Sequence, residues 1–294
     1  MIFYVVFVGY SDFGKFYSSI THFKFEFLPV IFLLSTSAMI IKGFRQHILF
    51  KKIGINLSSK NNMLLYFSGL SMIITPGSSG EVIKSYFLKI KEGHSISKTF
   101  PITFLERFHD LLATVTIIGF FLFFQNFREV TILIGIIGFF LIISYLAIRV
   151  RKLFKSITTL LLKVPKMHRF IDDISESYEV FYSLTTKKIM IKSWLLSVLA
   201  WAVDMFTIYV IFIAFNMKFN IIFTTIITYS SVLFGAVSFL PAGIGITEIS
   251  LVGFLSRSGI ELSLVSSLII IIRLVGTWYP TVLGFITTRM LLKK

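Results

Sequence analysis

The chain has 294 residues, 55% of them hydrophobic, with 34 phenylalanines and a mean hydropathy of +0.86. That is more apolar surface than a soluble core needs, and successive runs approach the roughly 18–25 apolar residues that cross a bilayer. The absence of cysteine excludes thiol catalysis, thiolate metal sites and disulfides, no segments alternate as in a transmembrane barrel, and the +15 charge flanks apolar runs, which argues against a nucleic-acid partner.

The expected fold is all-α and polytopic, one integral membrane domain over residues 1–294. Apolar segments are expected at 2–10, 27–43, 62–75, 102–124, 130–148, 193–215, 221–239 and 263–288, with amphipathic segments at 81–90 and 248–258. The run IFYVVFVG at 2–9 lacks a basic leader and a small-residue cleavage site, so it does not read as a signal peptide. It is also too short to span, and reads as the end of a curtailed first helix. Segment 62–75 rises only about 20 Å, against a hydrocarbon core of about 30 Å. It meets Thr75-Pro76-Gly77, which ends a helix. A chain that stops inside a membrane must turn within protein, so 62–90 is expected to be a re-entrant hairpin.

If 62–90 returns to the cytoplasm and 221–258 to the outside, stretches 42–60, 84–98, 149–192 and 289–294 carry 22 Lys and Arg on the cytoplasmic side. The outside carries 5 (Lys15, Lys24, Arg128, Lys218 and Arg257), and Arg107 and Arg273 stay inside spans. That bias follows the positive-inside rule, with a cell-membrane location and a cytoplasmic C-terminus. Residues 221–239 are also long enough to span alone, which would move Arg289, Lys293 and Lys294 outside. With the hairpins, residues 2–124 and 130–288 repeat one order: span, span, hairpin, span. They form inverted repeats, giving about six spans plus two hairpins. Glu81 precedes Arg107 by 26 residues, and Glu248 precedes Arg273 by 25. The basic linker 149–192, divided by Pro165, reads as an amphipathic segment on anionic lipid or as a solvated one.

Ser78-Ser79-Gly80-Glu81 has capping-box spacing and predicts a helix over 79–90; Gly245-Ile246-Thr247-Glu248 repeats the spacing with glycine as cap. At depth, two such half-helix N-termini point N–H groups at a shared cavity. Gly77, Gly80, Gly243 and Gly245, beside Pro76 and Pro241, let the backbone turn sharply and approach a ligand. In FLERFHDLLATVTIIGFF (104–121), Glu106 and Asp110 share a helix face, with Arg107 beside them and within reach of Glu81. The alternative is an interfacial cluster that snorkels to water. His109 has no second histidine at ligand spacing, so no metal is expected. Arg273 lies about ten residues from either end of its run, where an unpaired charge is costly, and Glu248 is its expected partner. Asp204 has no assignable partner. Ser78 and Ser79 have no base arranged nearby, so neither catalysis nor a cofactor is expected.

PGSSGEVIKSYFL is similar to a P-x-R/S-x-G-E-x-x-R-x-x-L signature, and LPAGIGITEISLVGFL to P-G-G-x-G-x-x-E-x-x-L-x-x-L. ERFHD supplies an ER..D element, and Arg273 with Trp278-Tyr279-Pro280 resembles an R…YW-x-P element. In this order, over nearly the whole chain, these motifs resemble the flippase-like transmembrane region of lysylphosphatidylglycerol synthases, found also as stand-alone membrane proteins. The resemblance implies an inverted-repeat fold with two re-entrant helices, and lipid translocation. It carries over to Pro76, Gly80, Glu81, Lys84, Glu106, Arg107, Asp110, Pro241, Gly243, Gly245, Glu248 and Arg273. The soluble aminoacyl-transferase domain is absent from the sequence, so lysyl transfer is not implied.

The expected function is therefore lipid translocation, with a phospholipid or polyprenyl-linked head group as partner. Arg107, Arg273 and the hairpin N-termini would meet its phosphate, and Glu81 and Glu248 would hold the arginines or meet a cationic group. The alternatives are a small-solute or ion transporter of the same architecture, or a membrane subunit for a separately encoded lipid-modifying or glycosyl-transferring enzyme.

Overall fold

The computed structural model describes residues 13–152, 154, 156, 159 and 171–293. The apolar run at 2–10 and the break at Pro165 lie outside the described residues. All regular elements among the described residues are helices. In chain order they are α1 (Phe13–Thr21), α2 (Leu28–Lys52), α3 (Ser59–Gly69), α4 (Ile83–Glu92), α5 (Ile96–Phe121), α6 (Arg128–Arg149), α7 (Ile171–Leu184), α8 (Lys187–Ala214), α9 (Ile221–Val237), α10 (Ile246–Ser256), α11 (Leu262–Arg273) and α12 (Tyr279–Leu292). Short 3-10 turns at Pro76–Val82 and Pro241–Gly243, here tip 1 and tip 2, join α3 to α4 and α9 to α10.

Local chemistry sets the ends. Ser58 accepts the Asn61 N–H, Ser95 the Lys98 N–H and Asn220 the Phe223 N–H, each capping the helix that follows. Lys51 and Lys52 close α2, where cations suit the helix dipole. Pro76 and Pro241 open the two tips, and Gly93 ends α4 in the left-handed conformation at φ 71°. The helices overrun the apolar segments. Segment 27–43 becomes a helix to Lys52, and segment 193–215 begins at Lys187. Hydropathy marks only the apolar part, whereas backbone hydrogen bonding continues through polar turns. The expected helix over 79–90 starts instead at Ile83, because residues 76–82 wind as 3-10.

Four helical stretches are long and apolar enough to cross a membrane: Phe25–Lys52, Arg128–Arg149, Lys187–Ala214 and Leu262–Leu292. The last combines α11, a π-helical turn at Leu274–Trp278, and α12. α5 has 26 residues, about 39 Å at helical rise, but Glu106, Arg107 and Asp110 keep it out of that set. α6 turns Ile132, Ile136, Phe139, Phe140 and Ile142 outward, as a lipid-facing helix does.

The order long helix, helical hairpin, long helix occurs twice: α2, α3–tip 1–α4, α5, and again α8, α9–tip 2–α10, α11–α12. The halves interlock. α2 packs along α8, while α12 packs on α3 and α5 on α9. Each half's last long helix thus covers the first arm of the other half's hairpin, and the two tips touch. The approach of α12 is close: a Cβ on Gly284 would lie 2.1 Å from the Ser71 amide nitrogen. α7, from the expected linker, docks on the start of α5. There Glu176 accepts hydrogen bonds from Ser95 and Ser97, and Ser177 donates to the Ser97 carbonyl at 2.8 Å.

Candidate functional site

Both tips are strained in the same way. Ser78 (φ 54°) in tip 1 and Ala242 (φ 51°) in tip 2 adopt the left-handed conformation that residues with a Cβ avoid. Tip 1 is braced by Thr75, whose hydroxyl accepts the Gly80 N–H at 2.7 Å. A Cβ on Gly80 would sit 2.7 Å from the Met72 Cβ, so only glycine fits. Behind tip 2, a Cβ on Gly235 of α9 would lie 2.1 Å from the hydroxyl of buried Thr247, so glycine there lets α9 and α10 close on each other. Gly77 lies in the 3-10 turn of tip 1.

The expected capping box in tip 1 does not form. The left-handed Ser78 lacks the extended backbone of an N-cap, and its hydroxyl turns back to the Ile73 carbonyl. Glu81 is fully buried and faces cations instead. Arg107 Nη2 lies 3.1 Å from it and Lys84 Nζ 3.5 Å. In the second half the reciprocal contact does form: Glu248 Oε2 accepts the N–H of Gly245 at 2.7 Å. Having no side chain, Gly245 supplies only that half of a capping box. The other oxygen of Glu248 accepts from Arg273 Nε at 2.7 Å, while Arg273 Nη1 and Nη2 donate to the carbonyls of Ala242 and Gly243 at 2.9 and 3.3 Å. Arg273 therefore pins tip 2 from the last turn of α11, directly before the π-helical turn.

On α5, Glu106 and Asp110 both face inward, 0% and 4% exposed, so the interfacial snorkelling alternative is overturned. Lys84 ion-pairs with Glu106. Asp110 is held by Arg45 Nη1 at 2.6 Å, by Arg107 Nη2 at 3.4 Å and by the Trp201 indole N–H at 3.3 Å. Arg45 also donates to Ser197 on α8, and is itself 0% exposed.

Arg45, Lys42 and Lys84 correct the sequence reading, which placed all three in cytoplasmic stretches. α2 does not stop at 43, so Lys42 and Arg45 lie within it; Lys84, three residues after Glu81, shares its face. Lys42 sets its ammonium over the Trp201 ring, 4.3 Å from the centroid. Removing these three from the expected 22 cytoplasmic cations leaves 19 against 5. Among the described residues, the charges gathered between α2, α4, α5, α8, α10 and α11 are then Lys42, Arg45, Lys84, Arg107 and Arg273 against Glu81, Glu106, Asp110, Asp204 and Glu248. Asp204 now has neighbours, Tyr229 at 3.5 Å and the charge of Lys42.

Not every buried polar atom is matched within this network. Arg45 Nε and Nη2, Arg107 Nε and Glu106 Oε1 find no hydrogen-bond partner among the described residues. Buried donors and acceptors of this kind are costly unless water or a ligand meets them. Among the described residues no three His, Asp or Glu side chains are grouped to hold a metal ion.

Residues 1–284 match the family described as the lysylphosphatidylglycerol synthase TM region. The chain belongs to this family. Its relatives include a UPF0104 membrane protein of Methanocaldococcus jannaschii, 26% identical over 227 residues, 75% of this chain and 95% of the relative. One of Pyrococcus horikoshii is 26% identical over 286 residues, 88% of this chain and 85% of the relative. A second from M. jannaschii is 25% identical over 304 aligned positions, covering 97% of this chain and 90% of the relative. No solved structure matches the chain. Family membership and the four long apolar helices make this an integral membrane protein.

Proposed function

We propose that the protein translocates a lipid across the cell membrane, moving the head group past the two tips while the tails stay in the bilayer. The observation that carries this reading is the contact between the tips, each with a buried carboxylate–arginine pair behind it. In this reading the hairpins are re-entrant, the halves are inverted repeats, and the C-terminus is cytoplasmic. Arg107 is 30% exposed while its partner Glu81 is fully buried, so it is the cation turned toward an incoming phosphate. Arg273 holds tip 2 in shape. The unmatched atoms of Arg45, Arg107 and Glu106 offer both donors and acceptors to a polar head group. Movement of one half against the other exposes the tips to each side in turn, and the protein acts as a carrier rather than a catalyst.

Reconstitution into liposomes with a panel of labelled phospholipids and polyprenyl-linked lipids tests this. Leaflet exchange of one class, lost in Arg107→Ala with folding intact, supports it. Exchange no faster than in protein-free vesicles for every lipid, or unaltered in Arg107→Ala, contradicts it.

A further inference from the structure

Among the described residues, Asp204 is the one interior carboxylate that the paired network does not use. It is half-buried on α8, facing Tyr229 of α9 and the charge of Lys42 of α2. The other helices on α8 bring their charges elsewhere. Arg45 of α2 pairs with Asp110, Arg107 of α5 with Glu81 and Asp110, and Arg273 of α11 with Glu248; no cation of the described residues forms an ion pair with Asp204.

The hydrogen bonds of Tyr229 leave a place for the acid form of Asp204. A phenol has a single proton to donate. Tyr229 gives it to the Trp201 carbonyl at 2.6 Å. Its contact with Asp204 Oδ2, at 3.5 Å, then has no proton of its own. That contact becomes a hydrogen bond when Asp204 is the acid and donates to the phenol oxygen. Lys42 fits the same state, because its ammonium lies on the Trp201 ring rather than in an ion pair with Asp204. Trp201 links the two regions, its carbonyl holding Tyr229 and its indole N–H donating to Asp110.

With Asp204 ionised, the five cations of this cluster face its five carboxylates among the described residues, and the cluster is neutral. With Asp204 protonated it carries one surplus positive charge, which a single phosphodiester cancels. A charge uncompensated at that depth is costly, so proton and anion are each bound better with the other present. We infer that Asp204 is a proton-binding site that couples the translocation proposed above to proton movement, one proton with one anionic head group. A proton adds to the Asp204 carboxylate on one side as the head group binds, and leaves it on the other side as the head group departs. The pair carries no net charge, so the step follows the pH gradient and ignores the membrane potential.

Two measurements test it. In the infrared difference spectrum of the purified protein at neutral pH, adding glycerophosphoglycerol, the ester-free head group of phosphatidylglycerol, should bring up the carbonyl stretch of a protonated carboxylic acid in the wild type and not in Asp204→Asn. Absence of the band, or its appearance in the variant, overturns the proton site. In liposomes holding labelled phosphatidylglycerol, one unit of pH difference should shift the lipid's distribution about ten-fold for one-to-one coupling. Asp204→Glu should keep that response, and Asp204→Asn should still exchange lipid without it. A wild type indifferent to the gradient, or Asp204→Asn responding as wild type does, overturns the coupling. No lipid movement in any condition, with the infrared band present, overturns the translocation reading and the coupling with it, and leaves the proton site standing.

Discussion

Arg273 donates from Nε to Glu248 at 2.7 Å, while its two terminal nitrogens hold the carbonyls of Ala242 and Gly243. One side chain thus neutralises a fully buried carboxylate and fixes a turn in which Ala242 is left-handed. Removing one partner of a buried pair costs about 3–5 kcal/mol, because the other charge stays uncompensated. Arg273→Ala should lower stability by that order, read as thermal unfolding in detergent. Glu248→Gln added to it should recover part of the loss. An Arg273→Ala protein that melts like wild type would remove the clamp from the account.

Close backbone approach in the second hairpin gives a matched pair of substitutions. Gly235→Ala places a methyl 2.1 Å from the Thr247 hydroxyl and 3.2 Å from the Gly243 Cα, so α9 and α10 must separate. Gly253→Ala on α10 meets nothing within 4 Å and sits on an exposed face. The first should destabilise by about 1–3 kcal/mol, as overpacking does. The second should stabilise by about 0.5–1 kcal/mol, as alanine does over glycine in a helix. Equal melting temperatures for the two variants would contradict the packing.

Arg45 and Asp110 join α2 to α5 at 2.6 Å with neither side chain more than 5% exposed. Arg45→Met and Asp110→Leu should each destabilise strongly, and the double variant by less than their sum, with a coupling of about 0.5–3 kcal/mol. Additive losses in denaturation would show that the two residues act independently.

The docking of α7 should depend on pH. Hydrogen bonds from Ser97 and Ser95 hold the Glu176 carboxyl below its ordinary range in the folded protein. A depressed carboxylate contributes stability above its unfolded value and loses it as pH falls through the folded one. Acidification below the ordinary glutamate range should therefore lower the protection of α7 amides, measured as hydrogen exchange relative to the intrinsic rate at each pH. Glu176→Gln should show low protection at neutral pH and lose little more in acid. Protection in the wild type that stays constant across that range would contradict this.

Much of this arrangement was legible in the sequence because it rests on local rules. Pro76 and Pro241 stop a helix wherever they stand, and an arginine deep in an apolar run needs a partner. Spacings of 26 and 25 residues accordingly found the Glu81–Arg107 and Glu248–Arg273 pairs. Arg45 and Lys42 were not legible, since a basic residue just after an apolar run reads the same whether its helix ends or continues. Only the packing of α8 against α2, which brings Ser197 and Trp201 to those side chains, shows that they point inward. Lys84 came from the family resemblance alone, and its ion pair with Glu106 is what turns it inward. The capping box in tip 1 failed for a related reason. Ser78 and Glu81 have the right spacing, but tertiary contacts with Arg107 and Lys84 outweigh one local cap.

In the proposed translocation, lipid crosses because the two tips part and meet. The chain has no cysteine, so cysteine pairs placed one in each tip can be oxidised to lock the contact and reduced to free it. Leaflet exchange of labelled lipid should stop on oxidation and return on reduction in reconstituted liposomes. Equal exchange in the locked and reduced forms, or none in either, would contradict the account.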